Sequence, residues 1–195
     1  MTQESLFADF AETLITTRRS VLPKRLFNPS PTDQELDLIY LAAAAAPDHG
    51  LIRPWRFVIC TDPTRNALAE VFAEVLLARD NLATPEQVTD LKNKAHRAPF
   101  LMLVVINIRG LDSKIPVGER YVSAGCAVQN VLLMAHSMGY GASPTSGRAM
   151  YANPIRKLFR LSDDEDPLCF ISIGTVDKQK PAQPRMVSKD FVSSI

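Results

Sequence analysis

Apolar side chains recur at three- and four-residue spacing from the start of the chain. Leu6, Phe7, Phe10, Leu14 and Ile15 predict an amphipathic helix over residues 3 to 17. Arg18-Arg19-Ser20 follows, then Pro23 and Asn28-Pro29-Ser30-Pro31, which is turn and loop chemistry. Thr32-Asp33-Gln34-Glu35 is a capping box, in which the Thr32 hydroxyl and the Glu35 carboxylate each satisfy an orphan backbone N–H. The helix it opens carries Leu36, Leu38, Ile39, Leu41 and a run of alanines, and Pro47 stops it. Trp55 to Cys60 reads as a strand. Asp62-Pro63 opens another helix, and Thr84-Pro85-Glu86-Gln87 opens a polar one that ends near Ala98-Pro99. Phe100 to Ile106 is unbroken apolar sequence, as a strand buried on both faces would be.

Residues 119 to 138 predict the longest helix. Val122, Cys126, Val128, Val131, Leu132, Leu133, Met134 and Met138 surround most of it, which places it centrally in a core or at a subunit contact. Gly139-Tyr140-Gly141 ends it. Asn153-Pro154 opens a short helix through Phe159, and Leu168 to Ile173 is the last strand. From Lys178 the tail has few apolar positions. Two helices precede the first strand, so the expected fold is α+β, a mixed sheet flanked by helices rather than a doubly wound one. No repeat, linker or low-complexity tract divides the chain, and residues 1–195 read as a single domain.

The charge balance of 22 Lys+Arg against 21 Asp+Glu carries no overall field and points away from nucleic acid or an acidic membrane as partner. The opening Met1-Thr2-Gln3-Glu4 has neither a basic nor an apolar leader region, and no apolar run is long enough to span a bilayer. A cytoplasmic location is expected. Cys60, Cys126 and Cys169 are far apart with no C-x-x-C pair, so they read as small core residues rather than redox groups or ligands.

Two stretches carry the candidate chemistry. A single arginine after a helix is favoured by the dipole whatever its function. Arg18-Arg19-Ser20 adds a second guanidinium and a hydroxyl, a set that matches phosphate oxygens. In Ala46-Pro47-Asp48-His49-Gly50 a histidine sits on a turn between helix and strand. His49, His96 and His136 lack zinc-ligand spacing, so no metal is expected. Gly141-Ala142-Ser143-Pro144-Thr145 lacks the closing glycine of a nucleophile elbow, which excludes serine hydrolysis. No G-x-G-x-x-G follows a strand. Pro144-Thr145-Ser146-Gly147 reads by composition as a plain turn of small residues.

Taken in order, Arg18-Arg19-Ser20, Pro29-Ser30-Pro31, Ala46-Pro47-Asp48-His49-Gly50, Pro54-Trp55-Arg56-Phe57, Ser123-Ala124-Gly125-Cys126-Ala127 and Gly139-Tyr140-Gly141 resemble the FMN-dependent nitroreductase family. The likeness is to its short single-domain NAD(P)H nitroreductase-like branch and runs from about residue 14 to about 176. It implies an intertwined homodimer with FMN at the interface and the helix at 119 to 138 in the dimer core. Arg18, Arg19 and Ser20 would meet the FMN phosphate and ribityl chain, and Ala45 and His49 would approach from the other subunit. Pro144, Thr145 and Ser146 would line the isoalloxazine and phosphate sides. Where such proteins carry Trp-Arg-Ser-Gly, this chain reads Pro144-Thr145-Ser146-Gly147, so a phosphate-binding arginine is absent; Arg148, Arg185 and Lys189 are the candidates to replace it. The family's chemistry needs no acid–base side chain, so no catalytic residue is expected. The implied activity is NAD(P)H-dependent, ping-pong reduction of nitroaromatic, quinone or related small-molecule acceptors. The alternatives are a flavin-binding protein without turnover and an anion-binding module with no flavin.

Overall fold

The computed structural model describes residues 3–178 and 184–195. Its helices are α1 (Gln3–Thr17), α2 (Asp33–Ala44), α3 (Asp62–Arg79), α4 (Pro85–Asn93), α5 (Val117–Ser137) and α6 (Asn153–Leu158). Its strands are β1 (Trp55–Ile59), β2 (Phe100–Asn107), β3 (Gly141–Thr145) and β4 (Glu165–Gly174), in spatial order β1-β2-β4-β3. The named strands pair antiparallel throughout, and the parallel component is a bridge from Ser20 to Ala142.

Strand β2 is buried on both faces, as its apolar run predicts. Met102 and Val104 point into one layer with Ile39, Ala43, Val131 and Ile171, under α2 and α5. Leu101, Leu103 and Val105 point into the other with Leu68, Ile155, Phe159 and Phe170, under α3 and α6. Both capping boxes form: Thr32 with Glu35 on α2, and Thr84 with Gln87 on α4.

Three boundaries depart from the sequence expectation. Residues 141–145, whose last two, Pro144 and Thr145, read as part of a turn, form β3. It is an edge strand, where a proline such as Pro144 is tolerated because one row of N–H groups has no ladder partner to lose. The polar helix α4 stops at Asn93, and a 3-10 turn, Lys94–His96, carries the chain on. Strand β4 starts at Glu165, since Arg56 holds that carboxylate at 2.5 and 3.1 Å and Arg156 holds Asp166 at 3.0 Å.

Helix α5 is central to this core, with Ala124, Ala127, Val131, Leu132 and Ala135 buried against α2 and the sheet. Val122 on its outer face is 67 % exposed. Helix α1 buries nothing; Phe7 and Phe10 stand 65 % and 61 % exposed on the apolar stripe that the spacing predicts.

Candidate functional site

The segment after α1 is tied to the free edge of β3. Val21 donates its N–H to the Ala142 carbonyl at 3.1 Å, and Phe27 and Thr175 exchange a pair of backbone hydrogen bonds at 2.9 Å. Gly141 allows this approach, because a Cβ there would run into Val176 and Leu26. Arg18-Arg19-Ser20 is thereby held between the sheet edge and the last turn of α5.

The two arginines differ. Arg19 Nη1 donates to the Thr16 carbonyl at 2.5 Å and the Arg18 carbonyl at 3.0 Å, which is helix-end capping. Arg18 is half-buried, its Nε is buried without a partner, and its Nη1 reaches only the Ser20 hydroxyl at 3.5 Å. Arg185 Nη2 donates to the Arg18 carbonyl at 3.0 Å. Burial first, then the nearby Arg185 and Arg19, lower the Arg18 pKa. His136 on α5 is pushed down by burial and then by Arg18 and Arg19. Among the described residues no carboxylate pairs with Arg18, Arg19 or Arg185. The result is a concentrated positive site with guanidinium donors to spare.

His49 sits elsewhere. Its Nδ1 bonds the Glu119 carboxylate in the first turn of α5, and that bond raises its pKa. The turn is held by Asp48, which accepts the Arg53 N–H at 2.6 Å and the Ser123 hydroxyl at 3.5 Å. Gly50 takes a positive φ of 69°, and Leu51 and Arg53 are left-handed beside it. Ala45 is the exposed C-cap of α2. Glu119 and His136 are about 26 Å apart along α5 at the ordinary helical rise. Within one chain, therefore, the Arg18 cluster and the His49 turn lie at opposite ends of the central helix.

Thr145 and Ser146 open onto a cavity of about 450 Å³ roofed by α3 and the end of α4, while Pro144 faces solvent. Leu22 lines both this cavity and the smaller pocket at Arg19 and Ser20, so the two adjoin. Of the candidate replacement cations, Arg185 reaches Arg18, Arg148 lines the large cavity, and no contact brings Lys189 to either.

Sequence reasoning missed the cations of that cavity, Arg79, Lys94 and Arg97, because no local motif joins them and only the fold brings them to one cavity. It also passed over Arg120, a buried guanidinium whose donors reach the Ile115, Arg109, Gly110 and Asp112 carbonyls and Asn107 Oδ1 and so shape residues 109–118. Cys60 and Cys169 behave as core residues, burial pushing Cys60 up to about 11 and Cys169 up to about 12, while Cys126 is half-buried against the core. Among the described residues, no cluster of His, Cys, Asp and Glu could hold a metal, and no helix is long and apolar enough to cross a membrane.

A family model described as "Nitroreductase family" matches residues 15–175. The chain belongs to the nitroreductase family. A Haemophilus influenzae relative named "Putative NAD(P)H nitroreductase" is 32% identical over 184 residues, covering 94% of this chain and 98% of its own length. Among solved structures, a nitroreductase-like family protein from Bacillus cereus superposes with a TM-score of 0.78 at 21% identity, with 94% of each chain covered. An FMN-dependent nitroreductase from Clostridium difficile superposes at 0.66 and 21% identity, covering 93% of this chain and 96% of its own. These likenesses place the mixed α+β sheet and its flanking helices in the nitroreductase fold.

Proposed function

We propose that this member of the nitroreductase family is an NAD(P)H-dependent flavin oxidoreductase, with FMN bound by Arg18, Arg19 and Ser20 at the sheet edge. The observation that carries the reading is the orphaned, buried Arg18 Nε among three arginines that, among the described residues, have no carboxylate partner. A phosphate monoester supplies the missing charge and acceptors, and Arg185 stands where it can serve in place of the arginine absent at Thr145. Thr145 and Ser146 would flank the ring system, and Pro144 the outer rim. His49 and Ala45 would reach the same cofactor from a second copy, since in their own chain they lie at the far end of α5. The single domain spanning 1–195 would form an intertwined, cytoplasmic homodimer, burying the bare Phe7 and Phe10 stripe of α1 and the exposed Val122 face of α5.

When bound, FMN supplies two-electron transfer from NAD(P)H to a small-molecule acceptor. For a nitroaromatic, NAD(P)H and one proton give the nitroso compound, NAD(P)⁺ and water. The chain's part is to hold the cofactor, cover one face and leave the other for donor and acceptor in turn, which gives ping-pong kinetics without an acid–base side chain.

The test is the absorbance spectrum of the purified protein, followed by NAD(P)H oxidation with nitroaromatic and quinone acceptors. A yellow dimer with one FMN per subunit and parallel double-reciprocal lines is the expected outcome. Intersecting lines would remove the shared-face mechanism, and a yellow protein that never oxidises NAD(P)H would be a flavin carrier instead. A colourless chain that takes up no FMN would end the reading.

A further inference from the structure

The large cavity beside Thr145 has an uneven distribution of chemistry. Its floor is apolar and buried: Leu68, Leu101, Met150 and Phe170, with the half-buried Phe72 at the side. Its rim carries four cations, Arg79 from the end of α3, Lys94 and Arg97 from the turn after α4, and Arg148 from the 3-10 helix Arg148–Tyr151. No Asp or Glu lines it. Among the described residues none of the four makes an ion pair, while Glu70 on α3 is paired with Lys92 at 2.7 Å. Three separate segments thus converge four uncompensated charges on an apolar slot in a chain whose net charge is only +1.

Such a rim favours an anion, and such a floor favours a flat apolar body. We infer that this cavity binds amphipathic anions, and that the acceptors of this protein are aromatic compounds bearing a carboxylate or a comparable acidic group. The aromatic body would lie against Phe72 and Phe170, with the acid at Lys94 and Arg97. The cavity shares Leu22 with the pocket at Arg19 and Ser20 and carries Thr145 and Ser146, so a ligand in it would lie next to the proposed cofactor site. The binding claim stands alone; the word acceptor rests on the oxidoreductase reading above.

The experiment compares 4-nitrobenzoate with the neutral 4-nitrobenzamide on the purified, flavin-loaded full-length protein. Equilibrium dialysis at low salt should show the carboxylate binding about tenfold or more tightly, as one charge-assisted contact provides. In Lys94→Gln/Arg97→Gln that preference should fall below about threefold, with amide binding and flavin content unchanged; Arg79→Gln/Arg97→Gln provides a second pair should the first fold poorly. If turnover occurs, the preference should appear in KM and not in kcat. Equal affinities in the unaltered protein would overturn the inference, and so would a preference that survives in both rim variants, since the anion would then be sitting elsewhere. A carboxylate preference without NAD(P)H turnover would support this site while sinking the oxidoreductase reading. Turnover with no preference would do the reverse.

Discussion

The Thr17 hydroxyl and His136 Nε2 stand 2.9 Å apart and join the end of α1 to the last turn of α5. The hydroxyl proton already goes to the Thr13 carbonyl at 2.6 Å, so Thr17 accepts and His136 Nε2 donates. The neutral ring therefore carries its proton on Nε2, facing the helix end beside Arg18 and Arg19.

His136 should titrate below an ordinary histidine, because burial and the two arginines oppose its charge. Between that lowered value and the unfolded value of about 6.5 the unfolded chain binds more protons, so stability rises with pH in this window and is lost as pH falls through it. His136→Gln should flatten the acid limb of a stability-versus-pH curve. Inorganic phosphate, by cancelling the arginine field, should raise the His136 pKa in an NMR titration; a resonance indifferent to phosphate would mean that no anion binds there.

Arg18→Ala should weaken FMN binding by roughly 10- to 150-fold, the equivalent of a charge-assisted contact worth about 1.5–3 kcal/mol. The apo melting temperature should hold or rise, since the change removes a half-buried cation repelled by Arg185 and Arg19. Fluorimetric FMN titration and calorimetry separate the two effects. Unchanged affinity with a lowered melting temperature would make Arg18 a structural residue only.

Arg185→Gln should also loosen FMN by about tenfold, while Lys189→Gln leaves it unchanged, because Arg185 donates to the Arg18 carbonyl. The opposite ranking in the same titration would assign the missing family arginine's role to Lys189.

Mixing Arg18→Ala and His49→Ala dimers through mild denaturation and refolding should restore tight sites. If one site takes Arg18 from one copy and His49 from the other, each mixed dimer has one intact site, and about a quarter of all sites recover. No recovery would place both residues at one copy's cofactor, against the length of α5 that separates them.

Arg120→Met should cost about 3–5 kcal/mol in urea unfolding. It removes a buried cation and leaves four carbonyls and the Asn107 amide oxygen without their donors. A loss under about 1 kcal/mol would show that the 109–118 segment opens to water at little cost.

Much of this architecture was legible because it rests on local rules. The Thr32 and Thr84 capping boxes form as spaced, and the apolar run at 100–106 is the doubly buried strand it resembles. Gly139, with φ of 86°, closes α5 where the sequence indicated. Arg18-Arg19-Ser20 stood out in the sequence because its donors are neighbours in the chain.

What the sequence by itself determined, then, was the type and approximate extent of most elements, which face of each is apolar, and which short motifs carry charge. The tertiary structure decided the rest, because it depends on approach between distant segments. Residues 141–145 became a strand only because β4 offered an edge that tolerates Pro144. Arg18 and Arg19 proved different only once Arg185 and His136 packed beside them. The cationic cavity exists because α3, the turn after α4 and the Arg148 segment meet over Phe170, and no local pattern encodes that meeting. Side-chain periodicity acts over a few residues, whereas burial and electrostatic fields are set by whatever the fold brings within a few ångströms.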